Sequence, residues 1–185
     1  MNLSDKIKNT VRNVPDFPKE GINFKDISPI LENPTLSKEI IKEFAAQLAG
    51  ENIDAIVGVE SRGFIYGMPL ALEMNIPFVL VRKVGKLPFD TIQYSYDLEY
   101  GSATVEMHVD SIKPNWNVFV HDDLLATGGT AIAAAELIKQ QGGNVAGFGF
   151  IIELGFLNGT ERLKDYSKNI INLDILSFIR LLFNN

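Results

Sequence analysis

His121-Asp122-Asp123-Leu124-Leu125-Ala126-Thr127-Gly128-Gly129-Thr130-Ala131 joins an apolar strand to a helix through a turn of small residues. Residues 118–120 before it are apolar, and residues 131–141 after it have the spacing of an amphipathic helix. The start of a helix exposes backbone N–H groups and partial positive charge, which suits a phosphate. Asp122 and Asp123 follow the predicted strand at its carboxyl end, where they can accept hydrogen bonds from sugar hydroxyls. The stretch therefore predicts a site for a ribose 5-phosphate.

Other phosphate-binding motifs do not fit this chain. A Walker A loop needs Lys and then Ser or Thr, but Gly85-Lys86 is followed by Leu87. A dinucleotide fingerprint needs a third glycine after Gly147-Phe148-Gly149, and Ile152 stands in its place. An ordinary capped turn before a helix would explain one acid, but not two adjacent acids followed by Thr-Gly-Gly-Thr.

The composition is that of an ordinary globular protein. The 185 residues are 46% hydrophobic and 22% charged, which is enough for one domain with a sizeable core. A formal net charge of −6 argues against a nucleic-acid partner, and the lack of cysteine excludes disulfides and thiol catalysis. No apolar run approaches the roughly 18 residues of a membrane span, and residues 1–10 do not read as a signal peptide. These features predict a cytoplasmic protein without a membrane partner.

Alternating helical and strand-like segments predict a doubly wound α/β fold over a single domain, residues 1–185. Helical periodicity covers residues 3–11, 36–49, 64–74 and 131–141, and continuous apolar runs at 55–59, 78–81, 118–121 and 145–152 indicate a mainly parallel sheet flanked by helices. Residues 91–96 and 103–108 alternate more and predict a projecting β-hairpin. Ligands of such folds bind beyond the carboxyl ends of the strands, where residues 60–62 and 122–123 meet.

Five segments carry a resemblance to a known family. Residues 122–130 resemble the phosphoribosyl-pyrophosphate motif of the type I phosphoribosyltransferases. Residues 16–29 resemble the family's base-side segment, residues 59–64 its pyrophosphate loop, and residues 82–88 and 96–101 the two ends of its mobile hood. The motifs occur in the family's order from about residue 16 to about residue 163, and they are most similar to the branch that uses adenine.

The resemblance implies transfer of the 5-phosphoribosyl group from phosphoribosyl pyrophosphate to adenine, which gives AMP and pyrophosphate in purine salvage. It also implies Mg²⁺ as cofactor and a homodimer. Two alternatives remain open at this point. One is a transferase for another base, such as xanthine, guanine or orotate. The other is a non-catalytic regulator that senses phosphoribosyl pyrophosphate.

The resemblance assigns expected roles around the sugar and its phosphates. The 5-phosphate is expected at Ala126, Thr127, Gly128, Gly129 and Thr130. Asp122 and Asp123 are expected to bind the ribose hydroxyls and to hold Mg²⁺ indirectly, through water or substrate. Pyrophosphate is expected at Ser61, Arg62, Arg82, Lys83 and Lys86, and the 60–62 segment to contain a non-proline cis peptide.

The base and the hood receive expected roles in the same way. In the base-binding segment, residues 15–30, Phe24 is expected to stack on adenine and the Asn23 backbone to read its edge, with Ile22 and Lys25 beside it and Leu157 over the other face. Lys25 stands where the family often has Arg. The mobile hood spans about residues 83–103; Glu99 is expected to contact adenine N7 and, with Arg62, to be catalytic, while Tyr100 covers the nucleotide. His121, at a position that is usually apolar, is expected to be a buried neutral histidine with a hydrogen bond.

Overall fold

A central sheet of seven strands organises the computed structural model, which describes residues 1–97 and 101–176. The strand order is β5-β6-β4-β3-β7-β8-β9, with β3, β4, β7, β8 and β9 parallel. Its strands are β3 (Ala55–Val59), β4 (Phe78–Lys83), β5 (Thr91–Asp97), β6 (Ser102–His108), β7 (Asn117–Leu125), β8 (Asn144–Leu154) and β9 (Ile170–Leu176). A separate two-stranded antiparallel sheet joins β1 (Arg12–Pro15) to β2 (Asn23–Asp26).

Six α-helices flank the sheet in the described part of the chain: α1 (Leu3–Thr10), α2 (Ser28–Leu31), α3 (Pro34–Gln47), α4 (Gly63–Met74), α5 (Gly129–Gln140) and α6 (Gly159–Leu163). A short 3₁₀ helix covers Gly155–Leu157. Local chemistry fixes the helix ends: the Asn33 side chain accepts from the Leu36 N–H at the start of α3, and Asn75 ends α4 in the left-handed conformation. No helix within residues 1–97 and 101–176 is long and apolar enough to cross a membrane.

Two apolar cores lie on opposite faces of the sheet. On one face, Val57, Val120 and Phe148 pack with the alanine-rich side of α5. On the other face, Ile56 and Phe119 pack with α1, α3 and α4. Because successive strand residues point to opposite faces, both faces must be covered, which explains the continuous apolar runs in the sequence. The predicted fold class is confirmed.

The hairpin of β5 and β6 lies at the edge of the sheet. Its strands pair antiparallel from Thr91↔His108 to Asp97↔Ser102. It joins β4 through only two residue pairs, Arg82↔Glu106 and Lys83↔Val105. The predicted hairpin is therefore present, attached to the parallel strands at one end.

The predicted carboxyl end of β7, next to the candidate phosphate site, was wrong. The sequence placed the end of the β7 strand before the acids, whereas β7 runs to Leu125 and pairs with β8 from Asp122↔Phe150 to Leu125↔Glu153. Leu124 and Leu125 continue the pattern of packed side chains, so the strand ends only at the turn. Asp122 and Asp123 thus lie within the last four residues of β7.

Candidate active site

The turn between β7 and α5 forms a cradle of backbone groups. Gly128 precedes α5 with φ +81°, a conformation that favours glycine. Because the first N–H groups of a helix have no partner inside it, the start of the 12-residue helix α5 presents donors to this turn. The turn borders a cavity of about 80 Å³, lined by Asp122, Leu124, Leu125, Ala126, Thr127, Gly128, Gly129, Thr130, Ala131 and Phe150. The five residues predicted to bind the 5-phosphate, called here the 126–130 loop, therefore lie together on one concave surface.

The start of α6 supports the 126–130 loop from behind. A Cβ on Gly159 would collide with the Ala126 carbonyl oxygen and lie 2.9 Å from the Leu125 side chain. Arg162, one turn further, donates from Nη1 to the Thr127 carbonyl oxygen at 2.7 Å. The loop is thus held by close backbone packing on one side and by a cation on the other, and that cation adds positive charge beside the predicted phosphate site.

Asp122 and Asp123 occupy different environments although they are adjacent. Asp123 is only 2% exposed, whereas Asp122 keeps part of its surface open and its Oδ1 accepts from the Asp123 N–H at 2.9 Å. Burial raises the pKa of Asp122 well above its usual range, and the neighbouring charge of Asp123 raises it further. Burial also raises the pKa of Asp123, against the opposing effect of the Arg62 guanidinium. A donor or cation arriving beside Asp122 would favour its charged form.

Arg62 connects the acids to the base-side segment. Its Nε lies 3.0 Å from Oδ2 of Asp123, and its Cζ lies 5.4 Å from the centroid of the Phe24 ring. The segment before it contains a cis peptide between Glu60 and Ser61, so the expected non-proline cis peptide is present. Of the residues predicted for pyrophosphate, Ser61 and Arg62 therefore lie at the start of α4, next to the acids of β7.

Two carboxylates organise the remaining residues predicted to bind pyrophosphate. Glu60 accepts from Arg82 Nη2 at 2.9 Å and from the Lys83 N–H at 2.8 Å. Arg82 also donates from Nη1 to the Lys86 carbonyl oxygen at 3.0 Å. In this structure the Arg82 guanidinium is engaged with protein groups, whereas the Lys83 and Lys86 side chains are exposed. The hydrogen bond from Arg82 lowers the pKa of Glu60 and outweighs the opposing effect of burial.

Glu106, on β6, fixes the turn that carries Lys86. Its Oε1 accepts from the N–H groups of Lys86 and Leu87, both at 2.8 Å, and its Oε2 accepts from the Thr91 hydroxyl at 3.3 Å. Glu106 is 2% exposed. Burial acts to raise its pKa, but the backbone N–H groups of residues 85–87 outweigh that effect and hold the pKa below its usual value. A charged carboxylate thus anchors the loop at the base of the hairpin.

The base-side segment forms the β1–β2 hairpin. Phe24 lies partly buried on β2 and meets Phe17 edge to face, with ring centroids 5.2 Å apart. Asn23 and Ile22 are exposed, as is Leu157 in the 3₁₀ helix. Lys25 donates from Nζ to Asn13 Oδ1 across the hairpin at 2.5 Å. Phe24 is brought to the site through Arg62, and the exposed apolar residues Phe17 and Ile22 beside it offer surface to a flat ligand.

The hairpin strand β5 reaches the 126–130 loop through Tyr96. The Tyr96 hydroxyl lies 3.0 Å from the Thr130 hydroxyl, and a Cβ on Gly129 would lie 3.2 Å from the Tyr96 ring. Glu99 and Tyr100, predicted for the hood, lie outside the described residues, as do residues 177–185.

His121 is fully buried behind the site, as expected. Its ring packs edge to face on Phe44, with centroids 5.1 Å apart. Burial lowers the pKa of His121 to about 4, with a smaller opposing effect from the Gly149 backbone. Neither ring nitrogen meets ordinary hydrogen-bond geometry with any residue of the described ranges, so the expected hydrogen bond is not formed. A neutral, packed histidine remains.

The acids fit magnesium only in a shared site. Within residues 1–97 and 101–176 there is no group of three or more His, Asp or Glu side chains placed to hold a metal ion. Magnesium in proteins commonly keeps several waters and uses one or two carboxylates together with substrate phosphates. The partly open Asp122, next to the cavity of the 126–130 loop, suits that arrangement.

Four residues that shape this site had no role of their own in the sequence prediction: Glu60, Tyr96, Glu106 and Arg162. Glu60 and Tyr96 were placed only within the segments that resemble the pyrophosphate loop and the hood. The alternation along β5 points Ile92, Tyr94 and Tyr96 inward, so Tyr96 could have been found from its period of two. Glu60 and Glu106 are acids in or after strands with no local pattern, and their hydrogen-bond partners are 15 to 23 residues away in the chain.

Comparisons with known proteins show the family to which the chain belongs and agree with its fold. A family model described as "phosphoribosyl transferase domain" matches residues 27–179. The chain is 51% identical, over 91% of its length and 97% of the relative's, to adenine phosphoribosyltransferase of Ureaplasma parvum serovar 3. The crystal structure of adenine phosphoribosyltransferase from Thermoanaerobacter pseudethanolicus superposes with a TM-score of 0.90 at 44% identity, over 95% of this chain and 100% of that one. The Trypanosoma brucei enzyme, solved with AMP, pyrophosphate and ribose 5-phosphate, gives 0.85 at 28% identity, over 94% of this chain and 79% of that one.

Proposed function

The chain belongs to the adenine phosphoribosyltransferase family, and from that premise we propose that it transfers the 5-phosphoribosyl group of phosphoribosyl pyrophosphate to adenine. The products are AMP and pyrophosphate, a purine-salvage reaction. The relatives at about half identity share this activity by name. The observation that carries the proposal is the cavity of the 126–130 loop, which lies directly beside two acids and an arginine that contacts an aromatic base-side residue.

The 126–130 loop is proposed to hold the 5-phosphate through backbone N–H groups and the hydroxyls of Thr127 and Thr130. Asp122, open beside the loop, and Asp123 then accept hydrogen bonds from the ribose diol. Asp123 is paired with Arg62 in this structure, so binding of the diol requires the guanidinium to move. This movement would bring Arg62 to the other residues predicted to bind pyrophosphate. These are the cations Lys83 and Lys86 and the hydroxyl of Ser61, with Arg82 supporting them.

The base is proposed to lie between Phe24 and Leu157. A backbone N–H and C=O at Asn23 match the acceptor N1 and the 6-amino donor of adenine, while hypoxanthine and guanine reverse that pair. A buried donor facing a donor is strongly rejected, so this contact selects adenine. Ile22 and Lys25 flank it, with Lys25 tied to Asn13.

Catalysis in this proposal needs alignment, charge stabilisation and exclusion of water. As pyrophosphate leaves, positive charge develops on the ribose ring, and Arg62 stabilises the departing anion. Asp122 and Asp123 would hold Mg²⁺ indirectly, through water or substrate, and the ion would supply neutralisation of the polyphosphate charge. The hood, about residues 83–103, covers the site, with Glu99 at adenine N7 and Tyr100 over the nucleotide. In the same proposal, residues 1–185 form a single domain, and residues 15–30 are its base-binding segment.

A homodimer and a cytoplasmic location stay predictions. The proposal of a dimer is supported by an exposed apolar stripe on α4, formed by Ile65, Met68 and Leu72 at a helical spacing. The stripe begins at Ile65, within one helical turn of Arg62, so a second copy bound to this face would lie next to the residues predicted to bind pyrophosphate.

The test is formation of pyrophosphate and of the corresponding nucleotide (AMP in the case of adenine) from phosphoribosyl pyrophosphate with adenine, guanine, hypoxanthine, xanthine and orotate in parallel, each with and without Mg²⁺. We expect adenine to be used at least about a hundredfold more efficiently than the other bases, since the alternatives leave buried donors unpaired. Thr127→Val should raise the KM of the phosphoribosyl donor and leave that of adenine nearly unchanged. Thr35→Val, an exposed threonine on α3, is the matched control. Faster turnover of another base, or no turnover of adenine, would contradict the proposal.

A further inference from the structure

Tyr96 is the point at which the hairpin strand β5 meets the 126–130 loop. Its hydroxyl lies 3.0 Å from Thr130 Oγ1, and its ring covers Gly129 closely enough that a Cβ there would lie 3.2 Å from Cδ2. Tyr96 is partly buried on the inward face of β5. The contact joins an element of the sheet edge to the mouth of the predicted phosphate site.

The position of Tyr96 in the chain makes this contact more than local packing. Tyr96 is paired with Ala103, one pair before the last of the β5–β6 ladder. Glu99, the acid expected to face the base, follows three residues later in the sequence. An interaction that restrains Tyr96 therefore also restrains β5, the strand that precedes residues 98–100 in the chain.

The chemistry of two facing hydroxyls supplies such a force. A hydroxyl has one donor and two acceptor positions, so Thr130 can accept from Tyr96 while it donates its own hydrogen to a phosphate oxygen. Hydrogen bonds in such a chain polarise and strengthen each other, and an anionic acceptor strengthens them most. Without phosphate, either hydroxyl can be the donor. An anion in the loop sets one direction for both bonds.

We propose that Tyr96 is a positioning residue that couples occupancy of the 126–130 loop to the placement of the β5–β6 hairpin. This inference rests on the proposed function, because it takes the loop to be the 5-phosphate site. The sugar phosphate, by ordering Thr130, fixes Tyr96 and with it the strand that leads to Glu99. By linkage, the fixed hairpin strengthens sugar-phosphate binding by the same factor.

The hairpin offers a matched control for the loss of one hydroxyl. Ser95 Oγ lies 2.8 Å from Thr104 Oγ1, a hydroxyl pair of similar length on the exposed face of the same two strands. Ser95→Ala removes that bond without touching the loop. Tyr96→Phe removes only the bond to Thr130 and keeps the ring over Gly129.

The experiment measures amide hydrogen exchange with and without ribose 5-phosphate, a ligand that lacks a base and so cannot order the hairpin through adenine. In the unmodified protein and in Ser95→Ala, ribose 5-phosphate should slow exchange both in the 126–130 loop and in residues 91–97. In Tyr96→Phe the loop should still be protected, while the slowing at residues 91–97 should fall by about fivefold, the effect of one hydrogen bond. Thr130→Ser keeps a hydroxyl and should retain the hairpin response.

Steady-state kinetics give a second readout if Tyr96→Phe alters stability. The KM of the phosphoribosyl donor should rise about fivefold while the KM of adenine changes little, and Ser95→Ala should leave both unchanged. Equal hairpin protection in Tyr96→Phe and in the unmodified protein overturns the coupling while leaving the phosphate site intact. Absence of loop protection in the unmodified protein overturns the phosphate site itself, and the inference with it.

Discussion

Arg62 links two parts of the candidate active site, because it pairs with Asp123 on β7 and lies over Phe24 in the base-side segment. We predict that Arg62→Gln lowers kcat/KM by about a hundredfold to a thousandfold, the usual effect of removing a donor to developing anionic charge. The free energy of unfolding should change by no more than about 2 kcal/mol, because Asp123 can take up a proton once its partner is gone. Steady-state kinetics and thermal unfolding measure the two effects.

The control for Arg62 is Arg12→Gln, which breaks an exposed ion pair with Asp26 at 3.4 Å. Exposed pairs contribute little to stability, so this variant should resemble the unmodified protein in both measurements. A loss of stability in Arg62→Gln that matched its loss of activity would assign Arg62 to the fold.

His121 makes stability depend on pH in a predictable direction. Its folded pKa, about 4, is below the unfolded value of about 6.5, so the unfolded chain binds more protons between these values. Stability is therefore complete above pH 6.5 and falls by about 3 kcal/mol as the pH drops to 4. His121→Leu should flatten this part of the curve, measured as the free energy of unfolding in urea from pH 4 to 7. His108→Gln, at the partly exposed second histidine, should keep the slope; the same slope in His121→Leu would refute the assignment.

At this scale the sequence predicted the residues with local patterns. Thr127, Gly128 and Thr130 stand in one turn, and the structure places them on one cavity because the turn chemistry is local. Glu106 escaped prediction because its three partners come from the 86–91 segment and are set by the register of β6 against β4 and β5.

Among the elements, the turn at residues 85–87 depends on one carboxylate. We predict that Glu106→Gln raises the KM of the phosphoribosyl donor several-fold, because a neutral amide loses the charge-assisted bonds to the Lys86 and Leu87 N–H groups and the turn that carries Lys86 loosens. The KM of adenine should change less. Steady-state kinetics with each substrate varied in turn measure both constants.

Glu136→Gln is the control for that variant. Glu136 accepts from the Tyr166 hydroxyl and from Lys139 on α5, away from the 85–87 turn. If Glu136→Gln raised the donor KM as much as Glu106→Gln did, the effect would belong to general destabilisation.

Most long elements could be predicted because burial on both sheet faces leaves a clear apolar signal. The 55–59 strand matches β3, and the predicted helices differ from α1, α3, α4 and α5 by no more than two residues at an end. The elements that were missed have physical reasons. The β1–β2 hairpin is short and mostly exposed, α2 and α6 have four and five residues, and the apolar run of β9 is interrupted by Asn172 and Asp174.

For the whole molecule, the proposed dimer rests on the exposed α4 stripe. Leu72 is 67% exposed, and Ile65 and Met68 are each 43% exposed on the same side of the helix. We predict that Leu72→Lys shifts the protein from dimer to monomer, because a charge replaces apolar contact at the centre of the interface. Light scattering after size exclusion measures the mass. Val109→Lys, at a similarly exposed apolar residue after β6, should stay dimeric; an unchanged mass for both variants would place the interface elsewhere.

The architecture as a whole followed from the order of apolar runs and helical segments, since parallel strands joined by helices admit few topologies. The relation of the β1–β2 hairpin to the sheet did not follow, because it depends on contacts such as Arg62 with Phe24 that join residues 38 positions apart.

The resting position of Arg62 also bears on which molecule the enzyme retains. While the guanidinium holds Asp123, an arriving sugar must compete with it for that carboxylate. Phosphoribosyl pyrophosphate carries a pyrophosphate group that can pair with the displaced arginine, whereas the single phosphate of AMP is the one proposed to lie in the 126–130 loop. We therefore expect the enzyme to bind phosphoribosyl pyrophosphate more tightly than AMP and to release AMP readily. The ion pair between Arg62 and Asp123 would set this difference in affinity.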